Sequence, residues 1–136
     1  MTNVPNETPW NSIEKSRYVS LTTFRKSGEP VSTAMWFAVD GDAIVMSTHV
    51  DSGKVKRLRN SPRVEVRPSS MSGAVKNGVA PIEGTAELVS DSAAFESLAK
   101  LLQKKYGLQH RLLAWTERRR GGRAEDRVVL RITTTS

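Results

Sequence analysis

The chain contains no cysteine. That excludes a disulfide framework, thiolate chemistry and cysteine-ligated metals, and it fits a reducing compartment. Histidine is scarce: His49 and His110 are the only two. Neither has the carboxylate spacing that would complete a metal site, so no metal is expected. Aromatic residues make up 6% of the sequence. They do not cluster as a surface for stacking on single-stranded nucleic acid would require, and there is no helix-turn-helix or zinc signature. No apolar run approaches the roughly 20 residues of a membrane-spanning helix. Residues 1–8 lack the basic start and apolar stretch of a secretory leader. A cytoplasmic protein is expected, with neither membrane nor nucleic acid as partner. No internal repeat or low-complexity run interrupts the 136 residues, which suit a single domain, 1–136, with one core.

What the chain has in excess is positive charge. Lysine and arginine total 21 against 14 acidic residues, a formal charge of +7. Such a surface attracts anions at long range. Charge alone does not choose between nucleic acid, lipid headgroups and a phosphorylated small molecule, so its location matters.

The order of elements reads as mainly β. Thr8-Pro9-Trp10 opens a short helix to about Ser16, with Thr8 as N-cap and Pro9 at the first helical position. Tyr18–Phe24 is rich in β-branched and aromatic residues and predicts a strand. Ser27–Pro30 is a turn, Val31–Val39 a second strand, Asp40-Gly41 a hairpin signal and Ala43–Thr48 a third strand; the short links predict a three-stranded meander. Lys54–Asn60 reads as a helix capped by Ser52 and stopped before Pro62. Arg63–Arg67 and Val79–Val89 are strands, with Gly84 as a bulge or bend. Ser90–Tyr106 is an amphipathic helix with Phe95, Leu98, Leu101 and Leu102 on one side, ending at Gly107. His110–Trp115 predicts a further helical turn, Glu117–Arg127 a polar loop and Val128–Thr133 a last strand. Six strands with short links and no regular βαβ alternation favour a small antiparallel barrel over a doubly wound sheet.

The stretch from Met46 to Arg63 carries the chemistry. A strand ends in two hydroxyls, Ser47 and Thr48, a glycine-containing loop follows, and a basic helix begins behind Ser52. The first turn of a helix has unpaired N–H groups and a partial positive charge, a setting that receives phosphate. Hydroxyls donate to phosphate oxygens and a lysine ammonium adds a point charge. Helical spacing turns Val55 and Leu58 to the core, places Lys54 and Arg57 together on one flank, and leaves Lys56 and Arg59 to solvent. The competing reading of this stretch is a basic, solvated surface helix.

Four features of the sequence resemble the flavin and deazaflavin oxidoreductases, split β-barrels of the pyridoxamine-phosphate-oxidase type, and within them the F420-dependent branch. They are the strand–turn–strand Tyr18–Phe37 with its Gly28-Glu29-Pro30 turn, the Asp40-Gly41 hairpin leading to Ser47-Thr48, Lys54 followed by Leu58 and Pro62-Arg63-Val64, and Ile82-Glu-Gly-Thr-Ala-Glu-Leu88. The resemblance runs from about Tyr18 to Ile132. It implies a split β-barrel of FMN-binding type and a homodimer with the coenzyme in a groove at the interface. It places the coenzyme phosphate on Lys54, Ser47 and Thr48, with Ser52 beside them, and lines the ring with Thr33, Met35 and Trp36. One departure is Arg57, where many relatives have asparagine; it either binds phosphate or an acidic tail or faces solvent.

The implied activity is hydride transfer between coenzyme F420 and an electron-poor organic small molecule, with FMN as the alternative coenzyme and a non-catalytic F420 carrier as the alternative role. F420 carries a phosphodiester, a lactyl group and a glutamate tail, and the basic balance of the chain suits it. No general acid is assigned. The Arg118-Arg119-Arg120 run with Arg123 reads as a solvated loop or as a clamp on an acidic tail.

Overall fold

A computed structural model describes residues 8–107 and 126–134. Seven strands form one sheet: β1 (Tyr18–Phe24), β2 (Pro30–Met35), β3 (Ala38–Asp40), β4 (Ala43–His49), β5 (Arg63–Ser69), β6 (Ile82–Val89) and β7 (Arg127–Thr134). Helix α1 (Gly53–Asn60) follows β4, helix α2 (Ser92–Tyr106) follows β6, and a 3₁₀ turn spans Pro9–Ile13. Every pairing is antiparallel, in the spatial order β2-β1-β5-β6-β7-β4-β3. The mainly β expectation holds. The segments read at His110–Trp115 and Arg118–Arg123 lie outside the described residues.

Two expectations about strands are corrected. The single strand expected over Val31–Val39 breaks at Trp36-Phe37. Its halves, β2 and β3, form the opposite edges of the sheet, so the three-stranded meander does not form: β2 pairs with β1, and β3 with β4. No glycine or proline marks the break. It is held from outside by Tyr106 of α2. Its hydroxyl accepts from the Phe37 N–H at 3.2 Å and lies 2.6 Å from the Arg17 carbonyl and 3.1 Å from the Phe37 carbonyl. A buried backbone group that leaves a ladder must find another partner, and the phenol is that partner. The Tyr106 ring also stacks on Trp36, 4.5 Å between centroids and 10° between planes. Burial raises its pKa, keeping the hydroxyl protonated.

The strand expected from Val79 starts only at Ile82. The Val79 carbonyl is taken instead by the Arg67 Nε at 3.2 Å. Gly84 proves to be a site of close approach and not a bulge. Its register with Val64 and Thr134 runs without a skip, and a Cβ there would stand 2.7 Å from the Thr133 carbonyl.

Because the chain passes straight from one edge strand to the other, the sheet curls around a core of Leu21, Phe37, Ile44, Met46, Val66 and Leu130. Helix α1 adds Val55 and Leu58 to it, and the 3₁₀ turn adds Trp10, whose indole N–H donates to the Asp42 carbonyl at 3.1 Å. Helix α2 packs outside, where Leu98, Leu102 and Tyr106 meet Ala38, Val45 and Val129. Strand β4 is therefore apolar on both faces, which explains its unbroken Ala-Ile-Val-Met start.

Candidate functional site

Side chains alternate across a strand, and this parts the two hydroxyls expected to act together. Thr48 follows Ile44 and Met46 to the inner face, is buried, and lies 3.4 Å from the Ser52 hydroxyl at the start of α1. Ser47 follows Val45 to the other face. There Arg127 holds it, Nε to the hydroxyl at 2.7 Å and Nη2 to the carbonyl at 3.2 Å. Only Thr48 stands at the α1 corner.

Ser52 caps α1 as expected, accepting from the Val55 N–H at 3.4 Å. Val55 and Leu58 are buried, while Lys56 and Arg59 are exposed. Lys54 and Arg57 share the flank between. The first turn of α1 has no acidic residue, and among the described residues no carboxylate pairs with Lys54. Burial, then the neighbouring Arg57 charge, holds the Lys54 ammonium below its ordinary pKa. Arg57 is likewise lowered, by burial and then by Arg25. It reaches back along the helix so that its Nε donates to the Thr23 hydroxyl at 2.6 Å. Its guanidinium lies over Gly53, where a Cβ would come within 2.8 Å of Nη1. The corner thus gathers cations that weaken one another, at the positive end of a helix. An anion placed there relieves that repulsion. Arg57 is partly exposed and tied to β1 through Thr23.

Thr33, Met35 and Trp36 do not share one surface. Thr33 lies opposite Leu21 and Met35 opposite Val19, on the inner side, and Met35 packs on the main core. Trp36 turns away to pack with α2 and Tyr106. The Thr33 Oγ1 is buried with no hydrogen-bond partner among the described residues, and the register sets it two positions along from Thr23, on the same face. A buried hydroxyl without a partner is costly, so this one is open to a ligand's polar group. The residues fit a phosphate-bearing coenzyme at Lys54, Arg57 and Ser52.

Thr23 and Gly53 are members of the corner that sequence reasoning missed. Gly53 sits inside a stretch already flagged, whereas the Thr23–Arg57 bond joins residues far apart in the chain and leaves no local signal. Sequence reasoning also missed Lys105, whose buried Nζ lies 3.4 Å from the centroid of the Phe37 ring. Burial pushes it down to about 8, with Glu14 raising and Arg17 lowering it. Among the described residues no cluster could hold a metal, and no helix is long and apolar enough to cross a membrane.

A family profile described as pyridoxamine 5'-phosphate oxidase matches residues 11–136. No curated protein matches the chain significantly. Among solved structures, a conserved hypothetical protein from Mycobacterium tuberculosis is 22% identical with a TM-score of 0.69, covering 100% of this chain and 87% of that one. A protein described as an F420 reductase is 21% identical with a TM-score of 0.61, covering 98% and 97%. A FAD-binding protein from Mesorhizobium loti is 16% identical with a TM-score of 0.63, covering 93% and 85%. These likenesses establish a shared fold.

Proposed function

The chain belongs to the pyridoxamine 5'-phosphate oxidase family, and from that premise we propose that it is an oxidoreductase that binds a flavin-type coenzyme, the deazaflavin F420, at the α1 corner. The observation that carries this reading is the unpaired Lys54 beside Arg57 at the start of α1. Lys54 and Arg57 hold the phosphate, Ser52 and Thr48 border it, and the partnerless Thr33 hydroxyl meets a polar edge of the coenzyme. Met35 lies on the same side of β2 as Thr33. Ser47 and Trp36 belong to the other side; they act on the coenzyme only through a second copy of the chain, and a homodimer is part of the proposal.

When bound, such a coenzyme supplies hydride chemistry, and the protein supplies binding and orientation. The acceptor is an electron-poor organic molecule. The fold relation to an F420 reductase and the +7 charge support F420, which is more anionic than FMN.

Fluorescence titration of the purified protein with F420 and with FMN tests the reading, alongside sedimentation for the dimer. Saturable F420 binding that weakens at least roughly tenfold in Lys54→Ala is expected, since a charge-assisted bond contributes about 1.5–3 kcal/mol. Tight FMN binding without F420 binding would reverse the coenzyme assignment. Binding of neither, or an unaltered Lys54→Ala, would remove the site.

A further inference from the structure

A second concavity lies at the other end of β1. Tyr18 pairs with Ser69 there, while Thr23 holds Arg57 at the coenzyme corner; the strand between spans about 17 Å at roughly 3.4 Å per residue. The cavity measures about 590 Å³, within the range that encloses small-molecule ligands. Its walls are mainly apolar, with Pro68, Ala74, Val75 and Val79, and Ser16, Ser69 and Ser70 complete the lining beside Lys76. Lys76 is the one charged residue among those that line it, and among the described residues no carboxylate pairs with it.

The loop that forms the wall is tied down. The Ser70 N–H donates to the Ala74 carbonyl at 3.0 Å, the Gly73 N–H to the Ser70 carbonyl at 2.9 Å, and the Ala74 N–H to the Ser70 hydroxyl at 3.2 Å. Arg67 fixes its far end through the Val79 carbonyl. The wall is therefore formed before any ligand arrives, which lowers the ordering cost of binding.

An open, mainly apolar pocket with one unpaired cation in its lining is complementary to one kind of small molecule. We propose that this cavity binds an amphipathic organic acid, an apolar body carrying a single carboxylate or sulfonate directed at Lys76. Resting on the oxidoreductase reading, this ligand is the hydride acceptor, held at the opposite end of β1 from the coenzyme phosphate. The binding site itself stands independently of that reading.

The probe is 8-anilinonaphthalene-1-sulfonate, an apolar dye with one sulfonate, titrated by fluorescence into the full chain. Saturable binding of one dye per chain is expected. Lys76→Ala weakens it roughly threefold, because an exposed ion pair contributes little, and Lys76→Glu weakens it further. Val79→Asp abolishes it by placing a carboxylate on the apolar wall. Lys54→Ala leaves it unchanged.

The proposal fails if dye binding is unsaturable, if Lys76→Glu matches the wild type, or if Lys54→Ala removes the dye, which would place it at the coenzyme corner. It also fails if Val79→Asp changes the sedimentation coefficient while dye binding persists, for the cavity is then a seam between copies of the chain. Coenzyme titration of the wild type beside Lys76→Glu separates the two hypotheses: F420 binding intact in both with altered dye affinity in the variant supports the cavity, F420 binding absent already in the wild type overturns only its acceptor role, and F420 binding lost only in the variant overturns the cavity as a separate site.

Discussion

Replacing Tyr106 with phenylalanine removes one oxygen and leaves the ring. The stack on Trp36 survives, and so does the apolar packing of α2 on β3, β4 and β7. What is lost is the one partner of the Phe37 N–H among the described residues, at the break between β2 and β3, together with the donor that serves the Arg17 and Phe37 carbonyls. The hydroxyl has one proton, so it serves one carbonyl at a time. An unsatisfied buried backbone group costs about 1–3 kcal/mol. With one carbonyl also deprived, Tyr106→Phe should lose about 2–3 kcal/mol, lowering Tm by roughly 6–12 °C for a chain of this size. Urea denaturation at fixed protein concentration measures it, and amide exchange at Phe37 should accelerate beyond that of β4 amides. Tyr18→Phe is the control, since the Tyr18 hydroxyl makes no hydrogen bond among the described residues; it should stay within about 0.5 kcal/mol of wild type. If Tyr106→Phe and Tyr18→Phe have the same midpoint as the wild type, the phenol does not hold the break and the account of why β2 and β3 separate is wrong.

Lys105 titrates near pH 8 in the folded chain against roughly 10.4 when unfolded, so between those values the unfolded state binds more protons and stability rises with pH. Lys105→Met should abolish that rise, read from urea midpoints between pH 7 and 10.5; a slope equal to wild type would contradict the burial of the amine. Gly53→Ala pushes the Arg57 guanidinium off the helix start while adding a better helix former; stability should hold or increase and coenzyme affinity should drop several-fold, and unchanged affinity in a titration would show that the guanidinium position is immaterial. Gly84→Ala drives a Cβ into the Thr133 carbonyl, which as backbone cannot swing aside, so a loss of about 1–3 kcal/mol is expected in thermal denaturation. Anion binding needs Lys54 charged, and since its pKa is lowered, affinity should decline as pH rises through that lowered value, before the ordinary lysine range is reached; a flat pH profile of coenzyme affinity in the wild type would count against Lys54 as the phosphate ligand.

The sequence was most legible where the cause of structure is local. Tyr18–Phe24 forms a strand with the bounds read from its β-branched run, α1 forms behind its Ser52 cap, and α2 forms where its periodicity and Gly107 place it, starting at Ser92 behind Asp91 and not at Ser90. The flanking of Lys54 and Arg57 followed from helical spacing alone. The break at Trp36-Phe37 was not legible, because its cause is a hydroxyl on α2 that arrives from much later in the chain. The Thr23–Arg57 bond is hidden for the same reason. The parting of Ser47 from Thr48 is different: strand alternation already implies it, and the Ile44, Met46, Thr48 and Val45, Ser47 series could have been separated by eye. Reading adjacent hydroxyls as one anion-binding pair ignored the pleat. Gly84 shows the limit of composition. A glycine within a strand signals some backbone demand, but only the neighbouring strands reveal which one.

The position of β7 between β6 and β4 has a bearing on how the protein comes into being. Among the described residues the β3–β4 hairpin joins the rest of the sheet through β7 alone. During synthesis the early hairpin therefore waits without a strand partner on its β4 edge while some eighty later residues emerge, an interval of roughly 4–16 s at 5–20 residues per second. Closure is a late, long-range event, of the kind that makes β proteins slow to fold and prone to stray pairing. A ribosome-bound chain lacking β7 should expose that hairpin to chaperones or to a second nascent chain, and a genetic fusion that delays release of β7 should cost yield before it costs stability.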